Sequence, residues 1–188
     1  MGKIKFYLIA TAAVLMMSAC QSQKTAVVSD AVNTESIRIV TSAAYPLKIG
    51  GFTYGFVLQA EKVIGEEPIT WSLTVESPHM MGCGQPLLIK TADYQQFYLV
   101  STHEGRLRSE QFNETKAYRS QYVLGDNLLN TLTGENIRRI KIKSPEGFRE
   151  HDLSVTELTQ MRAFFQSARK EMEKRLGKSG MSLYLRDI

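Results

Sequence analysis

The segment ITWSLTVE, residues 69 to 76, decides the fold class of this 188-residue chain. Its apolar residues alternate with polar ones at period two, which is typical of a strand with one buried face. The same alternation predicts strands at 36–41, 53–63, 95–102, 116–124 and 137–143. Turn-forming residues separate these segments, for example at Gly50-Gly51 and at Pro145 to Gly147. The sequence therefore predicts a mainly antiparallel sheet.

A short helix is predicted between the last two of these strands. Asp126 is a candidate N-cap, and the helix would carry three buried leucines at 128, 129 and 132. Gly134 is then expected to end it in the left-handed conformation.

A long amphipathic helix is predicted near the C-terminus. Ser154 and Glu157 have the spacing of a capping box, and apolar residues follow at helical spacing until Gly177, where we expect the helix to end. The apolar stripe comprises Val155, Leu158, Met161, Phe164, Phe165, Ala168, Met172 and Leu176. We expect it to cover the protein's own sheet, and residues 181–185 to add a short edge strand. The predicted fold class is α+β, a sheet or small β-sandwich with this helix packed on one face.

The first twenty residues have the organisation of an export signal. Lys3 and Lys5 provide a positive start, and an apolar run from residue 6 to residue 17 follows. This run has the length of a signal-peptide core and falls short of the about 20 residues that span a bilayer. The pattern predicts a signal peptide at residues 1–19 rather than a transmembrane helix.

Residues 17–20, Met-Ser-Ala-Cys, resemble the lipobox of bacterial lipoproteins. The resemblance covers only the signal region, and it implies that Cys20 is diacylated on sulfur, becomes the new N-terminus and is acylated again. Multiple acyl chains hold a protein stably on a membrane. In that family an Asp after the cysteine retains the protein in the inner membrane, whereas Gln21 and Ser22 follow here. The resemblance thus implies a periplasm-facing protein anchored to the outer membrane.

The mature chain divides into a tether and one domain. Residues 20–34 comprise the lipidated Cys20 and a polar, small-residue segment of the composition expected for a flexible tether. Residues 35–188 have the size of a single globular domain. The full chain carries a net charge of +4, and removal of Lys3 and Lys5 leaves +2. Such a small charge does not support a nucleic-acid partner.

A cluster of sulfur and imidazole side chains lies in SPHMMGCGQP, residues 77 to 86. His79, Met80, Met81 and Cys83 are soft or borderline ligands, the set that selects Cu(I). Cys83 is also a candidate reactive thiol, although no C-x-x-C pair is present. The favoured interpretation is a buried, inert Cys83. No cofactor is expected, and Cu(I) is implied only under the alternative of a periplasmic thiol or soft-metal protein.

A basic stripe is the other candidate site. Arg139, Lys141 and Lys143 share one face of the predicted strand 137–143, where they could contact an anionic envelope polymer. Lysines on an exposed strand also deter edge-to-edge aggregation, which is the structural alternative.

No complete catalytic set can be assembled from the sequence. There is no G-x-S-x-G elbow, and His151, Asp152 and Ser154 do not by themselves form a hydrolase site. The favoured function is a non-enzymatic binding or envelope-accessory role, with an envelope protein or an anionic envelope polymer as partner. Aromatic residues that could form the contact surface are Tyr94, Phe97, Tyr98, Tyr118 and Tyr122.

Lipidation of Cys20 is directly testable. We expect labelled palmitate to enter the protein, and Cys20→Ala to abolish the labelling and release the protein from the membrane fraction, because the acyl chains are the only predicted anchor. Cys83→Ala is the matched control and should leave both readouts unchanged. Membrane retention of an unlabelled Cys20→Ala protein would contradict the lipoprotein interpretation.

Overall fold

A computed structural model describes residues 27–30, 36–41, 43–79, 84–106, 118–134, 137–144 and 146–184. Within these ranges the chain forms eleven strands and two helices. The strands are β1 (Val27–Asp30), β2 (Ser36–Thr41), β3 (Tyr45–Ile49), β4 (Phe52–Val63), β5 (Ile69–Ser77), β6 (Pro86–Thr91), β7 (Gln96–Val100), β8 (His103–Arg106), β9 (Tyr118–Leu124), β10 (Ile137–Ser144) and β11 (Gly147–Asp152). The helices are α1 (Asp126–Thr133) and α2 (Val155–Tyr184). The predicted α+β class is confirmed.

The strands form two antiparallel sheets. The large sheet has the order β1-β2-β4-β5-β9-β8, with β3 also paired to β4. The small sheet has the order β11-β10-β6-β7. The segment ITWSLTVE lies in β5, in the interior of the large sheet, where it pairs with β4 on one side and β9 on the other. Its alternating apolar residues therefore reach the core.

The twelve-residue strand β4 pairs with two strands along one edge. Its last residues pair with β2 and its first residues with β3. The β3–β4 hairpin turns at Gly50 and Gly51, whose φ angles of 56° and 87° suit the tight turn that joins twisted strands. Position 55 requires a glycine because Ala44 lies very close to it. A Cβ atom at position 55 would be only 2.8 Å from the Cβ of Ala44.

Among the described residues, hydrogen bonds link the two sheets at the β7–β8 connection and at the β3–β4 turn. The chain passes from β7 to β8 through Ser101, whose N–H donates to Gln85 O, and Thr102, whose N–H donates to Gln121 O. Ser101 therefore hydrogen-bonds to the residue that precedes β6 of the small sheet, and the next residue, Thr102, hydrogen-bonds to β9 of the large sheet. On the other side, Arg149 of β11 donates from Nη1 to Gly50 O at 3.0 Å.

Helix α2 covers the protein's own core, as predicted for its apolar stripe. It contacts β2, β4 and α1. Tyr45 packs its ring 5.6 Å from that of Phe164 and donates from Oη to Glu157 O at 3.1 Å. The stripe is buried from Met161 to Leu176, whereas Val155 is exposed. None of the described helices is long and apolar enough to cross a membrane.

The short helix α1 ends at Gly134 as predicted, although Gly134 is not left-handed, and the predicted end of α2 at Gly177 is wrong. Helix α2 continues through Gly177 to Tyr184, so residues 181–184 are helical and do not form an edge strand. A glycine inside a helix costs only about 1 kcal/mol, which neighbouring helical residues can offset.

At α1 the N-cap is Gly125, Asp126 is the first helical residue, and Gly134 is extended (φ −94°, ψ −152°) rather than left-handed. A Cβ at Gly134 would lie 2.7 Å from Asn130 O, so close approach explains that glycine.

Five strands were not predicted from the sequence: β1, β3, β6, β8 and β11. Pro46 in β3 and Pro86 at the start of β6 weaken the strand signal, although proline is compatible with an edge strand or a first strand residue. Strand β11, GFREHD, is too polar to show alternation. Strand β1 lies within the segment interpreted as a tether and pairs with β2, so the folded domain begins before residue 35.

The capping box predicted at the start of α2 is present. The Ser154 N–H and Oγ donate to Glu157 Oε2 at 2.8 and 2.7 Å, and the Glu157 N–H donates to Ser154 Oγ at 3.3 Å. His151 Nε2 lies 3.0 Å from the other carboxylate oxygen, Oε1. Partial desolvation raises the pKa of Glu157, but the hydrogen bonds from Ser154 and His151 outweigh it and hold that pKa below its ordinary value of 4.5.

The Glu157 carboxylate should make stability depend on pH in a defined direction, and its loss should remove that dependence. A lowered pKa in the folded state means that the stabilisation is present above pH 4.5 and is lost as the pH falls through the lowered value. Glu157→Gln keeps an acceptor oxygen but removes the charge, so at pH 7 it should reduce the free energy of unfolding by about 0.3–1 kcal/mol, the usual worth of a carboxylate near a helix N-terminus. Urea denaturation at pH 7 and pH 3 should show the difference from the native sequence shrinking at pH 3. Glu67→Gln, at an exposed position between β4 and β5 with no ion pair among the described residues, is the control and should leave the free energy of unfolding unchanged.

Candidate functional site

The outer face of the small sheet presents three cross-strand rows of side chains. The strand registers align Asp152 with Arg139, Lys90 and Gln96, and align Glu150 with Lys141, Leu88 and Tyr98. The third row contains the pairs Phe148 with Lys143 and Pro86 with Val100. We call this surface, together with Tyr94 in the β6–β7 turn, the small-sheet face. It exists because the alternate residues of β6 and β10 point inward, where Leu87, Ile89, Ile140 and Ile142 are buried.

The small-sheet face exposes large apolar side chains. Tyr94 and Tyr98 are 69% and 63% exposed, and Val100 and Phe148 are exposed to about half. These are four of the eight large hydrophobic side chains that are exposed in the described part of the chain. Tyr98 and Val100 lie two residues apart on β7, whereas Phe148 lies on β11 at the opposite edge of the sheet. Grouped apolar side chains on a surface mark interaction sites more often than isolated ones do.

Two of the three predicted cationic contacts on this face are neutralised by the neighbouring strand. Arg139 donates to both carboxylate oxygens of Asp152, from Nε at 2.6 Å and from Nη2 at 2.8 Å. Lys141 donates to Glu150 Oε1 at 2.6 Å. The hydrogen bond from Arg139 lowers the pKa of Asp152, and the hydrogen bond from Lys141 lowers the pKa of Glu150. Strand β10 also lies between β11 and β6, so protection of an exposed edge does not explain its lysines.

The remaining cations of the small-sheet face lie beside aromatic rings. Lys143 Nζ is 4.9 Å from the centroid of the Phe148 ring, and Lys90 Nζ is 5.4 Å from that of Tyr94. Among the described residues, no carboxylate forms an ion pair with either lysine. The three rows hold four cations and two carboxylates, and Asp93 in the turn reduces the excess of positive charge. The face is therefore weakly cationic as well as aromatic.

The five aromatic residues predicted as a contact surface separate into two groups. Tyr94 and Tyr98 are exposed on the small-sheet face. Phe97 and Tyr118 are half-buried, and Tyr122 belongs to the core. The sequence did not identify Phe148 or Lys90 as candidates, because Phe148 lies in the unpredicted strand β11 and Lys90 in the unpredicted strand β6.

His79 lies at a different place, between the two sheets. Its ring packs edge-on against Phe52 at a centroid distance of 4.4 Å, and the guanidinium carbon of Arg149 lies 4.5 Å from the centroid of the same ring. We call Phe52, Tyr54, His79 and Arg149 the Phe52 cluster.

The other proposed soft-metal ligands, Met80, Met81 and Cys83, lie outside the described residues, as does Cys20. The described part of the chain contains no group of three or more His, Cys, Asp or Glu side chains that could hold a metal ion. The copper and thiol hypothesis stays a prediction.

The residues around His151 have the geometry of a helix cap. Ser154 Oγ and His151 Nε2 bond to opposite oxygens of the Glu157 carboxylate, so the carboxylate lies between serine and histidine. In the serine–histidine–carboxylate arrangement the histidine contacts the serine directly and takes its proton. This arrangement does not activate Ser154.

The charge pairing on the small-sheet face can be measured through the pKa of Asp152. Replacing Arg139 by Gln removes the hydrogen bond and the charge that lower this pKa, so the value should rise toward the ordinary 3.8. The pKa of Asp152 can be measured by NMR from the chemical shift of its carboxyl carbon, recorded from pH 2 to pH 6 in steps of about half a pH unit. Lys143→Gln is the control, since it removes a charge from the same strand without contacting Asp152. An unchanged Asp152 titration in Arg139→Gln would refute the pairing.

Comparison with known proteins does not place the chain in a family. No protein-family model, curated protein or solved structure matches it.

Proposed function

We propose that this protein is a lipid-anchored, non-enzymatic binding protein of the outer membrane, and that the small-sheet face binds an anionic envelope polymer. The observation that carries the proposal is the placement of exposed aromatic rings beside Lys90 and Lys143, which lack ion-pair partners among the described residues. Anchorage through Cys20 follows from the resemblance of residues 17–20 to a lipobox.

The chemistry of the face suits a repeating, flat and negatively charged ligand. Exposed rings such as Tyr98 offer apolar area with little side-chain entropy to lose. A lysine near an anionic surface contributes about 1 kcal/mol, so each repeat would bind weakly and a polymer would gain from several contacts at once.

The structure changes which cations should make the contact. The sequence pointed to Arg139, Lys141 and Lys143, but Arg139 and Lys141 already donate to Asp152 and Glu150. A polymer anion that engaged them would have to displace a carboxylate. Lys90 and Lys143 have no such competitor among the described residues, and we assign them the leading role.

The second candidate function is a thiol or soft-metal protein centred on His79 to Cys83. One observation favours keeping it: His79 Nε2 is buried and has no hydrogen-bond partner among the described residues. An available imidazole nitrogen is a requirement for a Cu(I) ligand. The polymer-binding proposal has more support, because all of its side chains are placed.

Charge reversal on the face tests the proposal. We use the mature chain carrying Cys20→Ala, and as probe the phosphorylated core oligosaccharide released from lipopolysaccharide. Lys90→Glu with Lys143→Glu should weaken binding more than about tenfold, because two contacts of about 1 kcal/mol each become repulsive. Calorimetric titration at low and high salt would measure it, and high salt should weaken the native protein in the same direction.

The matched control is Lys48→Glu with Lys170→Glu, an equal charge change at exposed positions away from the face. Tyr98→Ala should weaken binding at all salt concentrations, since it removes stacking area and no charge. Equal losses in the control and in the Lys90/Lys143 variant would show that only net charge matters. Binding of a dephosphorylated oligosaccharide with unchanged affinity would contradict the anionic ligand class.

A further inference from the structure

We propose a second binding site, independent of the small-sheet face, at which the Phe52 cluster takes a small monocarboxylate through Tyr54, His79 and Arg149.

The cluster brings together side chains from two strands, β4 and β11, and from the segment that follows β5. Tyr54 follows Phe52 by two residues on β4, so both side chains lie on the same, inward face. Gly55 pairs with Glu76, which places Tyr54 next to Ser77 of β5. The N–H of His79 donates to Ser77 Oγ at 3.0 Å, and Arg149 reaches the Phe52 ring from β11. Cluster residues from different segments are 25 to 97 residues apart in the sequence, and the fold brings them together around the ring of Phe52.

Three polar atoms of this cluster are buried without a hydrogen-bond partner in the described part of the chain. They are Tyr54 Oη, His79 Nε2 and Arg149 Nε. Tyr54 is completely buried. Buried polar groups are nearly always paired, because an unpaired one loses its hydration without compensation. Three such atoms around one ring are therefore a signature of a binding site.

All three atoms can donate a hydrogen bond at the same time. Arg149 uses Nη1 for Gly50 O and Nη2 for the Glu146 carboxylate, which leaves Nε–H. Burial raises the pKa of Tyr54, so its hydroxyl keeps its proton. His79 donates in its Nε2–H tautomer. Two carboxylate oxygens together offer about four acceptor positions and can satisfy this set.

The charges of the cluster define the ligand further. A cation would face a guanidinium group and three donors, and is excluded on both counts. Glu146 pairs with Arg149 but is itself 73% exposed, so solvent screens its charge and the buried side of the guanidinium can still balance one negative charge, though not the two of a dianion such as phosphate. Phe52 supplies an apolar wall that suits a short alkyl group. These features select a small monocarboxylate.

The cluster is reachable from solvent on one side. The side chain of Arg149 is 20% exposed, and His79 is half-buried, whereas Tyr54 forms the closed end. Arg149 and His79 therefore form the solvent side of the cluster.

The resonance of the Arg149 Nε–H group reports binding directly. We would titrate the mature chain carrying Cys20→Ala, labelled with nitrogen-15, with acetate and with formate, and use acetamide as the neutral probe of similar size. We expect a saturable shift of the Arg149 Nε–H signal with both carboxylates and none with acetamide. Arg149→Lys assigns the signal. Lys90→Glu with Lys143→Glu should leave the acetate titration unchanged, which separates this site from the small-sheet face.

Tyr54→Phe is the decisive variant, because it removes one hydroxyl and keeps the buried ring. We expect acetate to bind roughly fivefold to tenfold more weakly, as for loss of one hydrogen bond. Tyr45→Phe is the matched control, since Tyr45 Oη donates to Glu157 O outside the cluster, and it should bind acetate normally. His79→Gln is a second variant at a half-buried position, and it should also weaken acetate binding. Absence of a saturable shift, equal shifts with acetamide, or unchanged affinity in Tyr54→Phe would overturn the proposal.

Discussion

The pairing of β4 with three other strands is the constraint on which the rest of the structure depends. Its inward residues Tyr54, Phe56, Leu58 and Ala60 are buried, and they meet the inward residues of β5 directly across the ladder. A shift of one residue would expose this whole set, so the register is strongly fixed. Helix α2 can cover the sheet only because that apolar surface is continuous.

Sequence periodicity predicted six strands, β2, β4, β5, β7, β9 and β10, and none of them contains proline. It also predicted the stripe of α2, which is buried from Met161 to Leu176. The period-two pattern of β5 suggested one buried face, but Ser72 and Thr74 on its other face are buried as well. The missed strands contain proline or are polar.

The end of α1 at Gly134 was predicted correctly, but the roles of Gly134 and Gly177 were not. A left-handed stop, a close approach and a tolerated helical residue are three uses of glycine that look identical in a sequence.

The candidate site was only half predictable for a related reason. Alternation in IRRIKIK placed Arg139, Lys141 and Lys143 on one face, and the structure confirms that they share it. Asp152 and Glu150 neutralise Arg139 and Lys141 because β10 pairs with β11. The residue pattern of one strand cannot show which charged residues the neighbouring strand will place beside it. The Phe52 cluster is further from prediction, since its members come from distant segments. Only the unusual placement of an arginine among inward-facing positions of β11 could have indicated it.

The short strand β1 changes the mechanics of the proposed anchor. Because β1 begins at Val27, only six residues separate it from Cys20, and seven peptide steps extend at most about 25 Å. Val27 pairs with Thr41, so the end of the large sheet that contains Thr41 is the end connected to Cys20 by this short segment. A lipid at that cysteine would limit both the height and the tilt of the domain above the bilayer. Whatever the protein binds would then have to come to the membrane surface, because the domain could not travel far from it.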